Sequence, residues 1–168
     1  MTETPSWTHS TLIIVYSRSG NTRKIANIIK DRTSGTIYEL NSETDYSGKL
    51  GYMKGIWHCG SVRPATNVGD LPDLSQFDRV FIGGPVWMYT MCPPIAALLR
   101  DVDFSGKIIH PFCSDGGNAK QYLQKFAAAA PNATVTQGIS ISAVEKLPEE
   151  RLASIVDDWL IQINSLNT

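Results

Sequence analysis

The chain has no surplus of either charge: Lys and Arg number 15 against 16 Asp and Glu, a formal net charge of −1. Proteins that grip nucleic acid through its phosphates usually carry a basic excess, so that class of partner is not expected. Cysteine is scarce too. Cys59, Cys92 and Cys113 are odd in number, far apart and without a C-x-x-C pair, which supplies neither a disulfide framework nor a zinc ribbon and fits a reducing, cytoplasmic setting. No apolar run approaches the roughly 18 residues that span a bilayer. The start, MTETPSWTHS, has neither the basic flank nor the apolar core of an export signal, so neither export nor membrane insertion is expected.

What is present suffices for one core. Of 168 residues 42% are hydrophobic and 18% charged, which argues against disorder and against a charged coiled coil. The length is close to that of a single domain. We expect a polar tail over residues 1–10 and one domain over 11–166.

Leu12 to Tyr16 (LIIVY) is a short, β-branched, apolar run, the pattern of a strand covered on both faces. A turn-rich stretch, Ser17 to Thr22, follows, and then Ile25, Ala26, Ile28 and Ile29 at helical spacing, with Gly35 as a stop signal. The rhythm repeats. Thr36 to Leu40 reads as a second strand and Val80 to Gly84 as a third, ending at Pro85. Pro93-Pro94 opens a helix, Lys107 to Cys113 is a fourth strand interrupted by Pro111, and Gly117 to Ala130 is a helix. Thr134 to Ser142 alternates as a fifth strand, and Leu152, Ile155, Val156, Trp159, Leu160 and Ile163 mark a last helix. Strand and helix alternating about five times predict a parallel sheet with helices on both faces. From Asn41 to Asp78 the rhythm breaks, with only Gly48 to Trp57 suggesting a short helix; loops of this length are often functional.

In such a sheet, ligands bind beyond the carboxyl ends of the strands. After the first strand come Ser17, Arg18, Ser19, Gly20, Asn21 and Thr22, directly before a helix. Backbone N–H groups at a helix start, backed by the dipole, form an anion nest that hydroxyls can extend, so a phosphate is the natural guest. The alternative is that Ser19 or Asn21 merely caps the helix. Neither the lysine of a nucleotide-hydrolysing loop nor a G-x-G-x-x-G is present, which argues against ATP, GTP and a dinucleotide at this turn. After the third strand, the loop Pro85, Val86, Trp87, Met88, Tyr89, Thr90 and Met91 offers aromatic surface to a flat ring, or folds back on the domain. After the fourth, Ser114, Asp115, Gly116 and Gly117 let backbone approach a ligand, or simply turn.

Taken together, VYSRSGNT, FIGGPVWMYTMCPP and DFSGKIIHPFCSDGG, in this order and spacing, resemble the flavodoxin-like family of FMN-binding proteins over Leu12 to about Ile163. The resemblance implies a doubly wound, five-stranded parallel α/β sheet of order 2-1-3-4-5 with FMN at the switch point. It implies that Ser17, Ser19, Gly20, Asn21 and Thr22 hold the FMN phosphate, with Arg18 adding charge if it turns inward. Trp87 would lie against the isoalloxazine, Pro85, Val86, Met88, Tyr89 and Thr90 would shape its pocket, and Ser114, Asp115, Gly116 and Gly117 would face the pyrimidine edge. A carboxylate such as Asp115 close to the ring would lower its potential.

The chain departs from carrier flavodoxins, many of which are strongly acidic and stack a second aromatic from the loop after the fourth strand. This one is nearly neutral, and CSDGGNAKQYL has no aromatic before Tyr122. No long insertion precedes Pro148, as in the short-chain form. We therefore expect a redox protein acting through bound FMN, either as an NAD(P)H-dependent flavin or quinone reductase or as a carrier docking redox protein partners; a binding module that has lost FMN is a third reading. A nicotinamide or quinone would stack under Tyr52, Trp57 or neighbours in the 41–78 segment. His58, Cys59, His110 and Cys113 do not share an element as zinc ligands would. His110, Ser114 and Asp115 lack the G-x-S-x-G elbow of a hydrolase. Cys92, Cys113 and Trp159 read as core.

Overall fold

A computed structural model describes residues 10–41, 45–59, 70–119 and 121–165; the side chains of Tyr52, Ile56, His58 and Cys59 lie outside the described ones, as does the expected polar tail apart from Ser10. β1, Thr11–Val15, is buried along its whole length, as its unbroken apolar sequence requires. It lies between β2 (Thr36–Glu39) and β3 (Arg79–Trp87), both parallel to it. β5 (Ile108–Asp115) pairs parallel with β3, and two short strands, β6 (Thr134–Val135) and β7 (Ile139–Ser142), share the edge beyond β5. The order is β2-β1-β3-β5-β6, the expected doubly wound arrangement with its last position split in two.

Alternation along the strands divides the core into two layers. Ile13, Val15, Phe81 and Phe112 face α1 (Asn21–Thr33) and α5 (Glu149–Ser165), meeting Ile25, Ile29, Val156 and Trp159. Leu12, Ile14, Val80, Ile82 and Ile109 face the other way, against Ile95 and Leu98 of α3 (Pro93–Asp101) and Tyr122 and Phe126 of α4 (Tyr122–Ala129). α2, Gly48–Cys59, fills part of the irregular 41–78 stretch, and a single 3-10 turn follows at Leu74–Gln76.

Three readings of the sequence need correction. Pro85 does not end the third strand. Tyr16 donates its N–H to the Gly83 carbonyl, so odd-numbered residues of β3 turn their polar groups toward β1. The N–H that Pro85 lacks would point past Val15, where β1 has already ended, so β3 continues to Trp87 and returns as β4, Thr90–Met91.

Nor does Pro111 interrupt the fourth strand. Lys107 and Ile109 direct their carbonyls to Thr134 and Thr136 of the edge, so the missing Pro111 N–H falls on the edge side, and it is the edge that breaks, over residues 136–138. Gly138 takes up the gap, where an added Cβ would lie 2.6 Å from the Pro111 carbonyl oxygen. Finally, the left-handed residue after α1 is Ser34 (φ 53°), and Gly35 is needed for space: a Cβ there would meet Thr33, Ile13 and Thr11 at 3.0 to 3.1 Å.

Candidate functional site

The carboxyl ends of β1, β3 and β5 bring the three predicted segments to one edge of the sheet. Beyond Val15 the chain turns through Ser17, Arg18 and Ser19 to Gly20, whose left-handed backbone (φ 89°) starts α1 with no side chain of its own to cap it. A Cβ at Gly20 would have no heavy atom within 4 Å. Ser17 accepts the Arg23 N–H through Oγ at 3.2 Å, which folds the loop over the first helical turn. Thr22 is buried, and its hydroxyl lies 2.8 Å from Ser114 Oγ, tying the start of α1 to the end of β5. The helix start is thus open, flanked by hydroxyls and backed by the dipole, which is what a phosphate needs.

Two residues of this loop are engaged elsewhere. Asn21 donates through Nδ2 to Glu145 Oε2 at 3.0 Å, and Arg18 donates through Nη1 to the Tyr46 carbonyl at 3.4 Å, toward the segment that leads into α2. Their side chains tie the loop to its neighbours on either side.

The segment after β3 is a hairpin. Trp87 pairs with Thr90, and Met88 and Tyr89 form a two-residue turn in which both residues have positive φ, 48° and 62°. Hairpin turns of this hand favour Asn-Gly, and bulky side chains in that conformation are strained. Both are more than half exposed.

Trp87 itself stands in an aromatic corner, edge-on to Tyr16 at 6.2 Å and to Tyr46 at 5.2 Å between ring centroids. α2 sits on it: an added Cβ at Gly55 would come within 2.7 Å of Cζ3. Burial pushes the Tyr16 phenol well above its ordinary range, so it stays protonated and neutral here.

Beyond β5, Asp115 is fixed from several sides. Its carboxylate accepts hydrogen bonds from Ser140, from Ser142 at 2.7 Å and from the Gly117 N–H at 2.5 Å. Burial pushes its pKa up, but these hydrogen bonds, with one from the Asn118 backbone, outweigh it and hold the group below the usual carboxylate range. Asp115 therefore shapes its own loop and pins it to β7. Gly116 and Gly117 border open space, with nothing within 4 Å of a Cβ built on either.

Sequence reasoning missed Tyr16, Tyr46, Glu145, Ser140 and Ser142. Tyr16 ends the LIIVY run and could have been found as the last residue before the loop; the others come from distant parts of the chain and leave no local signal. Trp57 is 80% exposed on α2. It lies two residues, about 200°, around the helix from Gly55 and so faces away from Trp87. His110, by contrast, is in the core. Its Nδ1 lies 2.7 Å from Thr136 Oγ1 and its ring packs on Phe81, far from any nucleophile role. Burial pushes the Cys113 thiol up to about 12, so it is no thiolate nucleophile. No group of metal-ligating side chains forms among the described residues, and none of their helices is long and apolar enough to cross a membrane.

A cavity of about 650 Å³ opens beside the phosphate-type loop, lined by Arg18, Ser19, Ser47, Gly48, Lys49 and Met53. A second, of about 400 Å³, lies at the ends of β1 and β2 and is walled by Tyr16, Ser17, Arg23, Glu39, Asp45 and Tyr46 among others.

Several solved structures share this fold. A flavoprotein from Lactobacillus acidophilus, solved in complex with FMN, is 23% identical, with 79% of this chain and 93% of that one covered and a TM-score of 0.69. A candidate flavoprotein from Bacteroides uniformis is 22% identical over 90% of this chain and 97% of that one, with a TM-score of 0.76. Oxidised flavodoxin 2 from Bacillus cereus is 18% identical over 88% and 94%, at 0.53. No curated protein matches the chain. The profile of the flavodoxin family matches residues 10–159, which takes in every strand among the described residues and all three segments of the site, and the chain belongs to that family.

Proposed function

We propose that the chain binds FMN without a covalent bond and transfers electrons through it. The observation that carries this reading is the start of α1 at Gly20, which has no side chain of its own to cap it, ringed by Ser17, Ser19 and Thr22, on the same sheet edge as the Trp87 hairpin and the Ser114–Gly117 turn. These residues fit the group. The open helix start accepts a dianionic phosphate, Trp87 and the hairpin supply apolar surface for a ring, and Gly116 and Gly117 leave room for backbone N–H groups to meet a polar edge. When bound, FMN supplies one- and two-electron chemistry, and the protein's part is to hold and tune it. Asp115 holds the turn in place and, tied to Ser140 and Ser142, keeps its charge on the β7 side.

The complex of the Lactobacillus acidophilus flavoprotein with FMN supports the choice of cofactor. A second reading, direct reduction of the flavin by NAD(P)H with a quinone or free flavin as acceptor, is favoured by the 650 Å³ cavity beside the loop, where Lys49 would meet a dinucleotide's phosphates. The visible spectrum of the purified protein, with and without added FMN and then with NADPH under anaerobic conditions, tests both. A flavin spectrum that persists through gel filtration is the expected result, and a colourless protein that refuses FMN overturns the proposal. Rapid bleaching by NADPH establishes the reductase; bleaching by dithionite alone leaves the carrier.

A further inference from the structure

α2 has an inner side packed on the domain and an outer side turned to solvent. Its inner side is seated on Trp87 through Gly55. On its outer side Leu50, Met53 and Trp57, spaced i, i+3 and i+7, are 78%, 67% and 80% exposed, the three most exposed large apolar side chains among the described residues. Soluble proteins rarely leave such a stripe to water without a use for it. The helix also carries Lys49 and Lys54 and no acidic residue. Asp45, ahead of the helix, lies close enough to Lys54 to feel its charge but accepts the Ser47 N–H at 2.8 Å. Met53 and Lys49 reach round to line the cavity beside the phosphate-type loop, so the stripe is continuous with the candidate cofactor site.

We infer that the outer face of α2 docks an acidic one-electron carrier protein, with Leu50, Met53 and Trp57 as the apolar centre and Lys49 and Lys54 as its charged rim. This rests on the FMN reading above. Leu50 and Trp57 are not among the residues that line the cavity, and small molecules are taken into concave sites. Two lysines fall short of the four to eight basic residues that usually hold a segment on an anionic membrane. An apolar centre with a charged rim is the usual anatomy of a protein interface, and the sign of the rim selects the partner. With FMN bound, the electron given up by the partner's reduced iron–sulfur centre, which is oxidised, would go to the flavin as its acceptor; α2 contributes contact and no proton.

The test uses the full chain, loaded with FMN and checked by its visible spectrum, mixed anaerobically in a stopped-flow instrument with a pre-reduced, acidic plant-type [2Fe–2S] ferredoxin. Flavin reduction is expected to slow about tenfold between low and high salt, as attraction between opposite charges is screened. At equal FMN loading, Lys49→Glu/Lys54→Glu should slow it at low salt and flatten or reverse the salt dependence. Trp57→Ser should slow it at every salt concentration while FMN stays bound. Rates that are the same in all three proteins overturn the docking face. So does sedimentation with phosphatidylserine vesicles that the lysine variant loses while its ferredoxin rates stay unchanged, which assigns the face to a membrane. A chain that takes up no FMN overturns the functional reading itself and the docking proposal with it, an outcome visible in the spectrum before any mixing.

Discussion

Trp87 is the residue on which the site turns, because it touches three parts of the chain that are far apart in sequence: Tyr16 at the end of β1, Tyr46 ahead of α2, and Gly55 within α2. Removing its ring takes away apolar surface from any flavin beside it. Trp87→Ala is expected to weaken FMN binding by about 1–3 kcal/mol, read as a rise in the dissociation constant by flavin fluorescence; an unchanged constant removes Trp87 from the site. Gly55→Ala acts from the other side, since its methyl group would press on the same ring at 2.7 Å, and should shift the tryptophan's fluorescence even without FMN. Thr22 and Ser114 form the second tie of the site. Thr22→Val leaves the Ser114 hydroxyl without its protein partner and should cost about 1 kcal/mol in thermal stability, with a looser hold on phosphate. The hydroxyls and glycines of these segments were legible in the sequence because their chemistry is local. The fate of Asp115 was not: the serines that hold it lie 25 and 27 residues further on, and only strand pairing brings β7 alongside β5.

Among the elements, the hairpin β3–β4 stores the clearest strain. Met88 and Tyr89 both occupy the left-handed region in a turn that asks for Asn-Gly. Replacing them, as Met88→Asn/Tyr89→Gly, is expected to raise stability by about 1–2 kcal/mol in chemical denaturation. Any accompanying loss of FMN affinity would mean that the two exposed side chains serve the cofactor. The strands and helices themselves followed from spacing, since apolar periods of two and 3.6 are set by the geometry each element must present to the core. The prolines misled. A proline ends a strand only if the N–H it lacks was needed, and which side each residue's N–H faces depends on register, which no local pattern carries. Gly83 shows the reverse case of a residue explained only by its neighbour: a Cβ there would fall 2.2 Å from the Phe112 ring in the adjacent strand.

For the whole molecule, the most testable property is its response to acid. His110 is fully buried, and Nε2 finds no hydrogen-bond partner among the described residues. Burial, with Arg79 nearby, lowers its pKa from 6.5 to about 4. Between those values the unfolded chain binds a proton that the folded chain refuses, so stability falls as the pH drops through that window, by about 3 kcal/mol in all. Asp115 works in the same direction at lower pH: its native-state hydrogen bonds favour the charged form, so their contribution is lost as the pH falls below 3.8. Thermal unfolding followed between pH 7 and 4.5 should show the first loss and not the second, and His110→Phe should flatten it. A wild-type profile that is flat over that range contradicts a neutral buried imidazole.

Pro111 has a consequence beyond its own strand. A sheet's last strand exposes a row of unpaired backbone groups, a template on which another chain could add itself and begin a fibre. Here the outer strand is broken into pieces of two and four residues, separated where Pro111 has no N–H to offer and Gly138 closes on it. A template so short and so kinked gives an incoming strand no continuous register to copy. The same missing donor that shaped the fold thus makes this border of the sheet a poor template for strand addition.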